Sequence, residues 1–442
     1  MTKNMWKILK GVLLLTIIGY SPKMQAKDFT VINAAEFVGL KLAPGDKVIL
    51  SGNAWKDQEI VFKAKGTEEQ PIILTSAKPG EIICSGNSNL KIDGEWLVVD
   101  GLAFSNGYPE KEDVIAFSKT SRHCRLTNSS ILNYNPPYKT KDYKWVSVYG
   151  TNNRVDHCAL TGKTNQGTTL VIWLSETPNY DRIDHNYFGP RPDLGSNGGE
   201  SIRIGTSEWS MHDSYAKVEF NVFDKCNGET EIISIKSGHN IIINNLFYEC
   251  EGTLTFRHGN NSEAAYNFFI GNNVKNTGGI RVIGENQRVH DNYLEGLTGS
   301  GFRAAISVMN AFENPKPNEY FQVNNAIIKN NIIIDCKEAI AIGSGKDDKR
   351  ILPPVNLVMI ENVIINPIKL INYFDVPLES TIKNNQIKGV AKEDGFTVFK
   401  GSLIRNKFNL WEINYQVVSP FWLVESVGPN NRNLNFSEMI KF

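Results

Sequence analysis

A prevailing charge is missing from this chain: 47 Lys and Arg are balanced by 47 Asp and Glu over 442 residues. No basic tail and no block of like charge appears. Nothing therefore points to a nucleic-acid partner, and a site for any polyanion has to be a local patch. Low-complexity tracts and linkers are also missing. Apolar runs long enough to cross a membrane are absent as well. The one candidate is N-terminal, where Lys3, Lys7 and Lys10 precede an apolar run from Val12 to Ile18. That run is too short to span a bilayer comfortably. With small-residue cleavage after Ala26 it reads as an export signal over residues 1–26. No Cys sits near the cleavage point, which argues against a lipoprotein. The expectation is an exported protein, periplasmic or secreted, free of the membrane once the signal is removed.

Cysteine is scarce but even in number: Cys84, Cys124, Cys158, Cys226, Cys250 and Cys336. An even count in an exported chain suggests disulfides. The positions favour free thiols instead, because a repeat puts Cys226, Cys250 and Cys336 in one column, where thiols pack as small hydrophobes. A Cys226–Cys250 bridge is the alternative.

What the chain has in abundance is a seven-residue pattern: RIDHNYF, KVEFNVF, IIINNLF, EAAYNFF, RVHDNYL, IIKNNII, VMIENVI, TIKNNQI and SLIRNKF. Its fifth column is Asn186, Asn221, Asn245, Asn267, Asn292, Asn331, Asn362, Asn385 and Asn406. Apolar columns stand three residues before and two after. The shortest intervals are 21 to 25 residues, and the longer ones (35, 39 and 31) fit the same coil with a loop inserted. A period of this size means a solenoid. The pattern is β-rich with no helical stripe, so the expected fold is all-β, a single right-handed parallel β-helix with an internal asparagine ladder. Coils lie about 4.8 Å apart, so one column becomes one stack of touching side chains. A buried Asn is costly unless its amide is satisfied on both sides, which stacking achieves. Three earlier segments fit with substitutions that put Gly101, Ser129 and Cys158 in the column.

The solenoid is expected to run from about Val98 or earlier to about Phe408, within one elongated domain over residues 27–442. VINAAEFVGLKLAPGDKVILSG reads as an amphipathic helix, a turn and a strand, forming an N-terminal helical cap over the open end. The tail, about residues 412–442, lacks the repeat and is expected to cap the other end. Two long interruptions, Asn133 to Ser147 and Gly189 to Ser214, are where binding groups collect on a rigid scaffold.

The densest charged cluster is GETEIISIKS, residues 228–237. Glu229 and Glu231 are two apart on a strand and share a face. Arg257, followed by His258, comes 21 residues after Lys236, about one coil later. One coil earlier, LGSNGGESIRIG brings Asn197 and Arg203; one coil after Arg257, GGIRVIGE brings Arg281. Two carboxylates and an amide oxygen are hard donors suited to Ca²⁺. A lysine among cations gives up its proton more readily, as a base must. Arg and His can grip uronate carboxylates. Together they suggest β-elimination on a uronic-acid polymer. The same pattern also fits a solvated strand face laced with salt bridges.

LGSNGGESIRIG, NGETEIISIKS, EGTLTFRHGNN and GGIRVIGEN, in that order and spacing, resemble the signature of the chondroitinase-B and alginate-lyase family, the sixth family of polysaccharide lyases. The resemblance implies Ca²⁺ ligands at Asn197, Glu229 and Glu231, a Brønsted base at Lys236, and at Arg257 an acid or a stabiliser of the leaving oxygen. It implies substrate contacts at His258 and Arg281, and less firmly at Arg203. NGGE and GGIRVIGE look like the alginate branch. Implied, then, is a monomeric exported lyase of alginate, an anionic polysaccharide of mannuronate and guluronate. A chondroitin B (dermatan sulfate) lyase is the alternative within the family. Other classes are a pectin-type glycoside hydrolase, which needs a closely set carboxylate pair, and a non-catalytic carbohydrate-binding solenoid, which has no need of Lys236 and Arg257 at this spacing.

Overall fold

The computed structural model describes residues 25–414, apart from Ala54, Pro79 and Lys392, together with residues 426–430. The expected export signal lies almost wholly outside the described residues. Among those residues no helix is long and apolar enough to cross a membrane.

Three parallel sheets of 14, 13 and 12 strands run the length of the molecule; we term them sheets I, II and III. Each complete coil contributes one strand to each. The chain passes from Arg182–Asp184 in sheet I to Tyr187–Phe188 in sheet II and Ile202–Ile204 in sheet III. It then returns to sheet I at Lys217–Glu219, in register with Arg182–Asp184. This is the right-handed parallel β-helix expected from the repeat.

The repeat's columns explain why. Ile183, Val218, Ile242, Ala264, Val289, Ile328 and Met359 are fully buried and stack up one inner wall. Phe188, Phe223, Phe247 and Phe269 stack ring on ring at 4.8, 4.8 and 4.4 Å, close to the ~4.8 Å between strands. At the corner between sheets I and II, the residue before each ladder Asn takes the left-handed conformation, as at His185, Phe220, Asn244 and Tyr266. That turn aims the Asn inward. From Asn186 to Asn362, each Nδ2 donates to the Oδ1 of the next coil's Asn at 2.9–3.0 Å, ending on Asn385. The same Oδ1 accepts the backbone N–H of the Asn one coil earlier. Every amide is thus spoken for, which offsets the roughly 1–3 kcal/mol an unpaired buried group costs.

Two positions differ from the sequence expectation. Strand register pairs Asp100 with Thr127 and Thr127 with Asp156, so Leu102, not Gly101, shares the column of Ser129 and Cys158. Gly101 instead occupies the left-handed position, at φ 80. Leu102 N donates to Ser129 Oγ at 3.2 Å, and Cys158 N to Asn186 Oδ1 at 2.9 Å. At the other end Asn406 leaves the ladder. The last sheet II strand is Phe396–Val398, and the chain then folds back as an antiparallel hairpin of Leu403–Arg405 and Trp411–Ile413. Asn406 Oδ1 serves the hairpin turn, accepting Phe408 N and Leu410 N.

The N-terminal cap is present. Helix Ala34–Val38 is capped by Asn33, whose side chain accepts Glu36 N, and Phe37 packs edge-on against Phe62 in the first coils. Of the expected C-terminal cap, the described part packs on the outer face of sheet II, where Leu410, Ile413 and Val427 cover Tyr187, Val222, Leu246 and Tyr293. All six cysteines are free and buried, as the shared column of Cys226, Cys250 and Cys336 suggested for those three.

Candidate active site

The outer face of sheet III carries the polar cluster. Strand register aligns Val171, Arg203, Ser234, Thr255, Arg281 and Ser307 in one column. Lys236 ends the strand Glu231–Lys236. Its neighbour, Thr253–His258, pairs with one register shift between Glu231 and Ile233 and a second after Ile235 and Phe256, so that Lys236 lies opposite His258. Arg257 is the extra residue of a β-bulge. Bulges re-aim side chains, and here Arg257 turns to the same cleft as Lys236.

That cleft has a volume of about 660 Å³ and is lined by Asn197, Glu229, Glu231, Lys236, Arg257 and Arg281. Six of the eight residues singled out in the sequence thus meet in one place. The other two lie elsewhere. His258 is 1 % exposed, with Nε2 3.5 Å from Ser207 Oγ. Arg203 stacks over the Trp173 ring at 5.3 Å.

The acidic side of the cleft depends on two glycines. A Cβ on Gly199 would stand 2.2 Å from Gly228 O, and one on Gly228 2.2 Å from Gly199 O. Only glycine permits this approach, which brings Glu229 Oε2 to the amides of Gly198 (2.9 Å) and Gly199 (3.4 Å). Buried Arg191 anchors the same loop from behind, donating to the carbonyls of Gly198, Glu200, Asn165 and Gly167. Burial, and then the charges of Glu200 and Glu231, push the Glu229 carboxyl up to about 8.

Glu231 is differently placed. It pairs with Arg281, accepts from Ser234, and lies 3.6 Å from Arg257 Nε. Arg257 also donates from Nη2 to Asn318 O at 2.9 Å. Burial is the main reason its pKa falls below the usual arginine value. Burial, followed by Arg257 and Lys236, pushes His258 down to about 3, so this imidazole is neutral at ordinary pH.

The donor set suits a hard cation. Glu229 and Glu231 crowd one another, Glu200 Oε2 is buried without a hydrogen bond among the described residues, and Asn197 lines the same cleft. These oxygens would be relieved by positive charge. They do not make a full cage: no group of three or more His, Cys, Asp and Glu is placed to hold a metal among the described residues.

The sequence did not single out Glu200, Phe302, Arg303 or Tyr320, which also line the cleft. Glu200 was visible within NGGE. Phe302, Arg303 and Tyr320 come from irregular segments that no repeat places.

Fold and cleft together define a parallel β-helix protein with a cleft of mixed charge on the outer face of one sheet. The family model described as Chondroitinase B matches residues 35–418, and the chain belongs to that family. Among solved structures it is similar to the family 6 alginate lyase AlyGC, at 41% identity and TM-score 0.86 over 92% of this chain. It spans only 58% of that longer protein. It is also similar to a mannuronic acid specific family 6 lyase from human gut microbiota, at 30% identity and TM-score 0.77, covering 91% of this chain and 96% of the other. A third is the family 6 lyase of Pseudopedobacter saltans, at 26% identity and TM-score 0.72, covering 92% and 96%. No curated protein matches.

Proposed function

We propose that this protein is a polysaccharide lyase that cleaves alginate by β-elimination. The observation that carries the reading is the meeting of Lys236 and Arg257 in one cleft, beside Glu229, Glu231 and Asn197. Lys236 Nζ takes the C5 proton of the uronate. The electron pair of that C–H bond forms the C4–C5 double bond, and the C4–O bond to the leaving sugar breaks. Arg257 supplies a proton, or positive charge, to the departing oxygen; its lowered pKa makes it a better donor than an exposed arginine. Arg281, His258 and Arg203 are assigned to substrate binding; of the three, Arg281 lines the cleft. Asn197, Glu229 and Glu231 would hold Ca²⁺, which when bound neutralises the substrate carboxylate and makes the C5 proton more acidic.

Alginate is favoured over dermatan sulfate because one similar neighbour is described as an alginate lyase and another as a mannuronic acid specific lyase, and NGGE and GGIRVIGE resemble the alginate branch. Export through residues 1–26 and action as a monomer belong to the same reading. The test is ultraviolet absorbance on incubation with block-pure alginates and with dermatan sulfate, since elimination alone yields a conjugated unsaturated uronate. Absorbance should rise with alginate, fall after chelation and recover with Ca²⁺. Faster cleavage of dermatan sulfate overturns the substrate assignment. Full activity after chelation overturns the metal.

A further inference from the structure

A loop outside the repeat, residues 311–326, lies against Arg257. Its base is fixed by an antiparallel bridge between Ala311 and Leu352, with hydrogen bonds of 2.9 and 3.0 Å. Phe312 N donates to Tyr320 O at 3.1 Å, and the Phe312 ring meets the Tyr320 ring edge-on at 6.4 Å. Two groups of the loop touch the arginine. Asn318 O accepts from Nη2, and the Tyr320 ring centroid lies 4.4 Å from the guanidinium carbon. Arg350 shares the ring at 5.6 Å and is itself held by Asp347.

We propose that Tyr320 is a positioning residue: its ring holds the Arg257 guanidinium at the cleft and off Glu231. The inference rests on the role given to Arg257 above. Nη2 is committed to Asn318 O, and Nε faces Glu231 at 3.6 Å. Nη1 is buried and makes no hydrogen bond among the described residues. A long flexible side chain beside a carboxylate tends to fold onto it in a two-pronged pair. Such a pair with Glu231 would consume the free nitrogen. The aromatic face opposes that collapse, because a cation over a ring is attracted to it. The loop thus supplies an aromatic face beside Arg257, which the neighbouring sheet III column of Arg203, Ser234, Thr255, Arg281 and Ser307 does not.

The test compares Tyr320→Leu, which removes the ring, with Tyr320→Phe, which keeps it. Tyr320→Leu should lose roughly 100-fold in kcat, the scale of a displacement of about 1 Å, with little change in KM. Tyr320→Phe should restore most of that loss, because the face survives. A second readout needs no turnover. The Arg257 Nε–Hε magnetic resonance signal, assigned by its loss in Arg257→Lys, should stay sharp in Tyr320→Phe and broaden in Tyr320→Leu. Wild-type kcat with an unchanged signal in Tyr320→Leu overturns the proposal. So does Tyr320→Phe behaving as poorly as Tyr320→Leu, which would make the hydroxyl the acting group. If the unsubstituted protein cleaves no alginate, the lyase reading fails by itself, and the resonance signal decides the clamp.

Discussion

The asparagine corner and the cleft use polar side chains to opposite ends. At the corner every ladder amide from Asn186 to Asn362 donates to its neighbour, and the row closes on backbone carbonyls. In the cleft, Arg257 Nη1, Arg281 Nε, Arg303 Nε and Glu200 Oε2 are buried with no hydrogen bond among the described residues. One region has used up its polar capacity on itself. The other keeps it in reserve. Both belong to one rigid coil stack, so the ladder's order lets unsatisfied groups persist on the opposite side. The lesson is that a satisfied polar row reads as fold and an unsatisfied one as site.

The largest break of this contrast is expected at Lys236. Lys236→Ala should lower turnover of alginate about 1,000-fold, leaving oligosaccharide binding and the melting temperature nearly unchanged. Retention of most turnover by the folded variant would assign proton abstraction to another group. On the corner the effects should reverse. Asn267→Ala strands the Asn245 backbone N–H and the Ile242 carbonyl, at a cost of roughly 3 kcal/mol of stability by chemical denaturation. Turnover well below the melting temperature should stay intact. A smaller effect sharpens the comparison at His258. Its folded value of about 3 lies below the ordinary 6.5. Between those values the unfolded chain holds a proton that the folded chain does not. Stability should therefore fall as pH drops from about 6.5 toward about 3, by up to roughly 1.4 kcal/mol per pH unit from this group. His258→Asn should flatten that part of the denaturation–pH profile; an unchanged slope would show that the imidazole is solvated after all.

The fold was legible because a solenoid writes its geometry into columns. Ile183, Asn186 and Phe188 recur coil after coil, and each column is one inner stack. Where the column is degenerate, legibility slips by one residue, as at Gly101 and Leu102, since only strand register separates a left-handed turn residue from the inward one beside it. Asn406 shows the converse: the heptad persists in sequence after the chain has left the helix, because a hairpin turn also welcomes asparagine. The cleft was legible as far as it is built from coils. Lys236, Arg257 and Arg281 fall at coil spacing. The slip that sets His258 opposite Lys236 is a single-residue bulge, invisible to spacing alone. Tyr320 was out of reach for another reason. Its loop has no period, and its contact with Arg257 spans 63 positions of sequence.

The six thiols have a consequence for how the protein can be made. None is paired, all are buried, and burial pushes Cys84, Cys124 and Cys336 up to about 12, 11 and 12. Thiols held this firmly in the protonated form are poor nucleophiles and poor substrates for exchange. Reaching the native state therefore calls for no electron acceptor and no isomerase. The same coil stack should form in a reducing compartment or an oxidising one, and reductant should leave its melting temperature where it was.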